Sequence, residues 1–234
     1  NSSATKFKKI PGQPIAYWTS DKIKNIFGIS KPLHEIAEVK HGLSTGKNDA
    51  VVRLWQEVSI RDFGIGIPTK NEAQISGYKW FPYNKGGAFR KWYGNGEYVL
   101  RYDAFGIEQM ASFPGHRHDG KSHYFREGIT WTFISSSNFA ARYTPVGYVF
   151  DVSGSSLFLE NPKRIVAFLC TKLCVTILKA LNPTMNFQVG NLKTLPIEIN
   201  SIRKIQEKID LIADKAIKCS KNDWDSYEKS WNFE

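Results

Sequence analysis

The sequence predicts an α+β fold: a twisted antiparallel sheet packed against a buried helix, followed by a C-terminal helical segment. Three observations point there. Between residues 61 and 158, short runs rich in aromatic and β-branched residues alternate with Gly-containing turns, which reads as a series of short strands. Asn161-Pro162 then opens a stretch, ending at Leu181, that is apolar nearly all round; a helix of that kind is buried. From Ser201 onward, apolar residues recur at three-four spacing with charges on the other face, the pattern of an amphipathic helix.

The elements follow in order. Ser20-Asp21 is suited to cap a short helix over Lys22–Phe27. His34–Val39 and Val51–Val58 read as strands or half-buried segments on either side of a Gly-rich turn. Strands are expected at Tyr78–Tyr83, Glu97–Tyr102, Ile129–Ser135 and Tyr148–Val152. Asn161 is an N-cap residue and Pro162 suits the first helical position; the helix should stop at Asn182-Pro183. In the last segment Ile202, Ile205, Ile209, Ile212, Ala213, Ala216 and Ile217 form one face. Arg203, Lys204, Glu207, Lys208, Asp210, Asp214, Lys215 and Lys218 form a mixed-sign, solvated face. Asp223–Trp231 is a further short helical candidate. This gives a connecting segment over 1–29, a main domain over 30–198 and a helical segment over 199–234.

At 234 residues, the chain is roughly 1.6 times a domain of ~150 residues, so one large or two small domains fit. A composition of 41% hydrophobic and 23% charged residues belongs to a folded domain rather than a disordered one. No apolar run approaches the ~18 residues of a membrane span, and Asn1-Ser2-Ser3-Ala4 has no apolar signal core. Without an initiator Met, the chain is expected to be cut from something longer. Cys170, Cys174 and Cys219 are too few, and odd in number, for a disulfide framework, which suits a reducing cytoplasm. With 32 basic and 22 acidic residues the formal charge is +10, which suits an anionic partner. Residues 1–60 and 61–150 carry +4 each and the remainder +2.

Catalytic signatures are weak. Gly42-Leu43-Ser44-Thr45-Gly46-Lys47-Asn48-Asp49 is not a phosphate loop, because three residues rather than four separate the glycines and Asn follows the Lys. It reads as a tight turn needing positive φ at Gly42 or Gly46, although Lys47 and Asn48 would suit a DNA phosphate or base edge. His116, His118 and His123 lack a further ligand at metal-site spacing and read as a solvated loop. There is no Gly-x-Ser-x-Gly elbow and no Gly-x-Gly-x-x-Gly fingerprint.

Binding signals are stronger. In Tyr78–Tyr93 seven of sixteen residues are aromatic and four are basic, and no acid occurs between Glu72 and Glu97. Lys85, Arg90 and Lys91 would neutralise phosphates, with Trp92 and Tyr93 available to stack or brace. The alternative is a β-hairpin whose aromatics fill the core, the favoured reading for Trp80 and Phe89. A second candidate is the polar loop with Ser135 and Ser136 leading to Arg142, which reads equally as a turn and a surface charge. A third is the loop with Asn186 and Gln188, whose amides match an adenine edge but also suit a turn.

Several segments resemble the C-terminal part of the PglX family, the adenine-N6 DNA methyltransferases of BREX phage-defence systems. More loosely, they resemble target-recognition regions of type IIG/IIL restriction-modification enzymes. The resemblance lies in residues 42–49, in Tyr83-Asn-Lys-Gly-Gly-Ala-Phe-Arg-Lys-Trp-Tyr-Gly94, and in Gly128-Ile-Thr-Trp131. It continues through Phe150-Asp151 with Gly154–Phe158, Asn182–Gln188 with Leu195-Pro196-Ile197, and Asp223–Glu228 with Ser230-Trp231. In that family an N-terminal half supplies the S-adenosylmethionine site and an Asn-Pro-Pro-Tyr/Phe motif. This chain has neither: Asn161-Pro162-Lys163 and Asn182-Pro183-Thr184 lack the second proline and the aromatic. The resemblance therefore implies no catalytic residue and no cofactor here, with S-adenosylmethionine expected in the missing methyltransferase domain. It implies a module that grips double-stranded DNA and presents an adenine for flipping into a pocket elsewhere. The implied partners are DNA, the rest of the methyltransferase chain, and other defence-system subunits or a phage-encoded DNA mimic, with no membrane. The alternative is a protein-interaction module of a defence complex without DNA affinity; a stand-alone nuclease is disfavoured by the lack of carboxylate clusters.

Overall fold

A computed structural model describes residues 10–12, 18–135 and 138–233. Among these the strands are β1 (Lys31–Pro32), β2 (Glu38–Lys40), β3 (Val52–Leu54), β4 (Trp80–Asn84) and β5 (Tyr98–Arg101), followed by β6 (Gly128–Trp131), β7 (Ala141–Thr144), β8 (Val149–Phe150), β9 (Ser156–Phe158) and β10 (Pro196–Ile197). The helices are α1 (Asp21–Ile29), α2 (Asn48–Val51), α3 (Lys70–Ile75), α4 (Ala104–Ala111), α5 (Pro162–Leu169), α6 (Lys172–Leu181), α7 (Val189–Lys193), α8 (Ile199–Lys204) and α9 (Gln206–Asp225). The class is α+β, as the sequence predicts, but its parts are more divided than expected.

The strands form two four-stranded sheets, ordered β2-β9-β6-β7 and β3-β5-β4-β8, and a separate β1-β10 pair. All pairings are antiparallel except β4 with β8, where Tyr83 lies opposite Val149 and Asn84 opposite Phe150. The chain leaves the second sheet at Phe150 and enters the first at Ser156, so residues 151–155 form the crossing between them.

The long apolar stretch is two helices rather than one. Thr171 accepts a hydrogen bond from the Cys174 N–H at 3.1 Å, which caps a new helix and ends the old one. The last segment is also divided, with α8 ending before Ile205. Glu57 takes the Leu54 N–H at 2.7 Å, which closes a turn and cuts the expected 51–58 strand to three residues. The cap at Ser20 holds: its hydroxyl accepts from Ile23 N–H at 3.4 Å.

Two cores result. The larger is built from Ile129, Trp131, Ala141 and Leu157 of the first sheet against Ile165, Val166, Leu169, Ile177 and Leu178 of α5 and α6. The smaller gathers Phe81, Tyr83, Leu100, Tyr102, Met110 and Phe125 around the second sheet. Strand alternation lets β9 serve both, Leu157 pointing to the larger core and Phe158 to the smaller. Helix α9 lies along α5, tied by Arg164 to Asp210 at 2.7 Å and Lys163 to Asp214 at 2.7 Å. These pairs are partly solvated and set register more than stability.

Of the two glycines expected to need positive φ, Gly46 has it, at 75°. Gly42 matters differently: a Cβ there would lie 2.3 Å from the Phe150 carbonyl oxygen. The backbone of the 42–48 turn is thus pressed against the crossing segment.

Trp131 is fully buried and donates its indole N–H to the Phe187 carbonyl at 2.8 Å. Trp131→Ala is expected to cost about 3–5 kcal/mol, read as a fall in the urea midpoint with an unchanged slope.

Candidate nucleic-acid interface

Thr45 donates to the Asn48 side-chain oxygen at 2.8 Å, and the Lys85 ammonium reaches the same atom at 3.2 Å. Lys85 also donates to Asp151 at 3.1 Å. The Asp151 carboxylate is buried and takes two more hydrogen bonds, from Tyr83 OH at 2.6 Å and Ser153 N–H at 2.7 Å. Burial and the neighbouring carboxylate push the Tyr83 phenol well above its ordinary range, so it stays a donor. Lys47 stands exposed at the start of α2.

From Gly86 to Tyr93 the chain is a folded-back loop. Arg90 pairs with Asp223 at 2.6 Å and lies over the rings of Trp224 and Tyr227. Lys91 donates to the Cys170 carbonyl at 2.7 Å. Trp92, at φ 71°, packs on the larger core, and its N–H bonds the Ala141 carbonyl at 2.9 Å. Tyr93 is buried, and Ser220 of α9 donates to both the Lys91 and Tyr93 carbonyls. The three cations expected to meet phosphates are thus engaged inside the chain, Lys85 with Asp151, Arg90 with Asp223 and Lys91 at the end of α5. Phe89, expected in the core, is 47% exposed because it sits on the outer side of the loop. Trp80 is half-buried.

Arg142, expected on the surface, is buried. Its guanidinium donates to the carbonyls of Gly86 at 3.3 Å and Arg90 at 3.4 Å and to the Thr132 hydroxyl at 3.3 Å. Burial lowers its pKa to about 10. Asn95, also buried, donates to the Gly86 and Ala88 carbonyls at 3.0 and 2.8 Å. Neither Asn95, Thr132 nor Asp151 carries a sequence signal for this role beyond lying beside glycine turns or at a strand end.

The Ser135 N–H bonds the Met185 carbonyl at 3.2 Å, and Ile134 bridges to Asn186. Asn186 sits half-buried within its turn, its N–H on Thr184 and its carbonyl on Asn182, whereas Gln188 is exposed at the start of α7. Ser136 lies outside the described residues. The four loops singled out by sequence are therefore neighbours. Asn48 touches Lys85; a Cβ on Gly86 would meet Thr132 at 3.3 Å; Thr132 leads to Ile134 and Ser135, which meet Met185 and Asn186. They form one continuous edge.

The histidines do not form a solvated loop. His116 Nδ1 lies 2.9 Å from the Ser44 carbonyl, His118 stacks edge-on against Tyr102 and Tyr124, and His123 is buried beside Glu38. Burial, helped by the nearby His116, lowers the His118 pKa to about 4. Lys40 and His123 together hold the Glu38 carboxyl down at about 2. Among the described residues no three His, Cys, Asp or Glu side chains gather as a metal site, and no helix is long and apolar enough to cross a membrane.

Compared with known proteins, the chain matches no protein-family model. Over nearly all its length it is similar to one region of adenine-specific methyltransferases. It is 38% identical over 240 residues to "Adenine-specific methyltransferase PglX" of Lacticaseibacillus casei (strain Zhang), covering 98% of this chain and 19% of that protein. It is 38% identical over 239 residues to "Adenine-specific methyltransferase BrxX" of Escherichia coli O9:H4 (strain HS), covering 100% of this chain and 18% of that one. The chain thus spans about a fifth of the length of the curated relatives it matches.

Two outcomes are expected. Lys85→Met strands the Asp151 carboxylate and should cost about 3–5 kcal/mol; adding Asp151→Asn should recover part of the loss in a double-mutant cycle of urea midpoints. His118 is neutral when folded because its pKa sits at about 4, below the unfolded value. Protons therefore favour the unfolded chain, and stability should fall as pH drops from ~6.5 toward ~4. Urea titrations at both ends check this, and His118→Gln should flatten the slope.

Proposed function

We propose that the chain is the double-stranded DNA target-recognition module of an adenine-N6 DNA methyltransferase of the BREX type, acting in the cytoplasm in phage defence. The observation that supports this best is the shared edge: four loops, scattered from residue 47 to residue 188, that the resemblance marks as sequence blocks lie side by side. The similarity to adenine-specific methyltransferases along the whole chain agrees with it. So does the lack of an S-adenosylmethionine motif and of an Asn-Pro-Pro-Tyr/Phe motif, which leaves methyl transfer to another part of the parent.

Roles along this edge divide by exposure. Lys47 and Gln188 are free to approach DNA from outside, Lys47 to a phosphate and Gln188 to a base edge. Asn48, Asn186 and Ser135 offer polar atoms from the turns between them. Lys85, Arg90, Lys91, Trp92, Tyr93 and Arg142 contribute by holding the surface in shape and by adding positive field beneath it. The adenine would be extruded into a pocket of the methyltransferase portion of the parent.

Replacing this region in a full-length parent with the matching region of a relative of different specificity should change the methylated adenine motif in the cell's methylome while methylation persists. An unchanged motif overturns the reading. Lys47→Gln in the same parent should weaken duplex binding for every sequence tested and lower the salt slope by about one.

A further inference from the structure

The loop from Gly86 to Arg90 is held by its carbonyl oxygens. Gly86 is gripped by Asn95 at 3.0 Å and Arg142 at 3.3 Å, Gly87 by Thr132 at 3.1 Å, Ala88 by Asn95 at 2.8 Å and Arg90 by Arg142 at 3.4 Å. Every described peptide bond here is trans. In a trans peptide the N–H of one residue points opposite to the carbonyl of the residue before it. Carbonyls turned inward at 86, 87 and 88 therefore turn the N–H groups of Gly87, Ala88 and Phe89 outward. All three residues are exposed, and none of the described residues accepts a hydrogen bond from these amides.

The backbone is fixed in this form. Gly86 and Gly87 have φ of 81° and 100°, where a side chain is strained, and a Cβ would strike the Ser153 carbonyl at 2.7 Å or the Asn95 amide at 2.9 Å. Beneath the loop lies the Arg142 guanidinium, fully buried, with its Nε unpartnered. Among the described residues no carboxylate forms an ion pair with Arg142; its partners are neutral oxygens only. Successive outward amides over an uncompensated positive charge make a concavity for an anion.

We infer that the Gly87–Phe89 backbone is an oxyanion site for a phosphate group, which within the proposed function is a phosphodiester of the DNA backbone. The inference rests on that reading only for the source of the phosphate. It reverses the role of the segment's cations: main-chain amides meet the phosphate, while Arg142, Thr132 and Asn95 are positioning residues. Because the donors are backbone, the contact is blind to base sequence and fixes register.

The test is an amide NMR titration of the whole chain, once with a duplex of arbitrary sequence and once with inorganic phosphate. The expected result is saturable shifts of the Gly87, Ala88 and Phe89 amides with duplex, reversed by salt. Thr132→Val, which frees the Gly87 carbonyl, should weaken that response about threefold to tenfold. Shifts of these amides with inorganic phosphate but no duplex binding would uphold the oxyanion site and overturn DNA as its source. Duplex binding that moves only other amides would overturn the site and leave DNA recognition standing. If neither ligand moves these three amides, the site is overturned.

Discussion

The arrangement depends on one buried carboxylate. Asp151 sits where the chain passes from the second sheet to the first, and an ionised group there is costly unless it is paired and fully hydrogen-bonded. Lys85 supplies the charge, Tyr83 and Ser153 the remaining donors. Since Lys85 also reaches Asn48, the same group joins the 42–48 turn to the end of β4. Gly42 reinforces the junction by letting the turn approach the Phe150 carbonyl. Removing this carboxylate would leave each sheet intact and loosen the angle and spacing between them, which is what sets the loops in line.

A second layer of order comes from cations used as struts. Arg90 and Lys91 look like a phosphate-binding pair in the sequence. In the fold they reach Asp223 and the end of α5, so the loop and the helices at the C-terminal end brace one another. Trp224 and Trp231 add apolar surface to the same seam, Trp231 lying against Phe63 and Tyr148. A long basic side chain does two jobs here, covering apolar surface with its stem and satisfying an internal acceptor with its head.

Much of the fold could be read from the amino acids. Periodicity found the buried helices, the amphipathic α9 and most strands to within a few residues. It missed the break at Thr171, because a single capping hydroxyl decides it and apolar periodicity runs straight through. The loops were correctly marked as unusual from aromatic, basic and glycine content. What the pattern could not tell was direction: Arg142 alternates like any strand residue, and only three-dimensional placement shows it pointing inward. Likewise Lys85 looks free until Asp151, 66 residues away, is brought beside it. The histidines mislead for the same reason, since the burial of His118 and His123 comes from Tyr102, Tyr124 and Phe158, all distant or unremarkable in the sequence.

The short β1-β10 pair has an effect beyond its size. Lys31 lies opposite Ile197 and Pro32 opposite Pro196, and the Leu33 N–H bonds the Leu195 carbonyl at 2.8 Å just inside them. The two ends of a 167-residue span are therefore stapled at one spot. A unit with neighbouring entry and exit points makes little geometric demand on the chain around it. It can be exchanged as a cassette: the flanking polypeptide need only present two adjacent strand ends, whatever loops the incoming unit carries at its far edge.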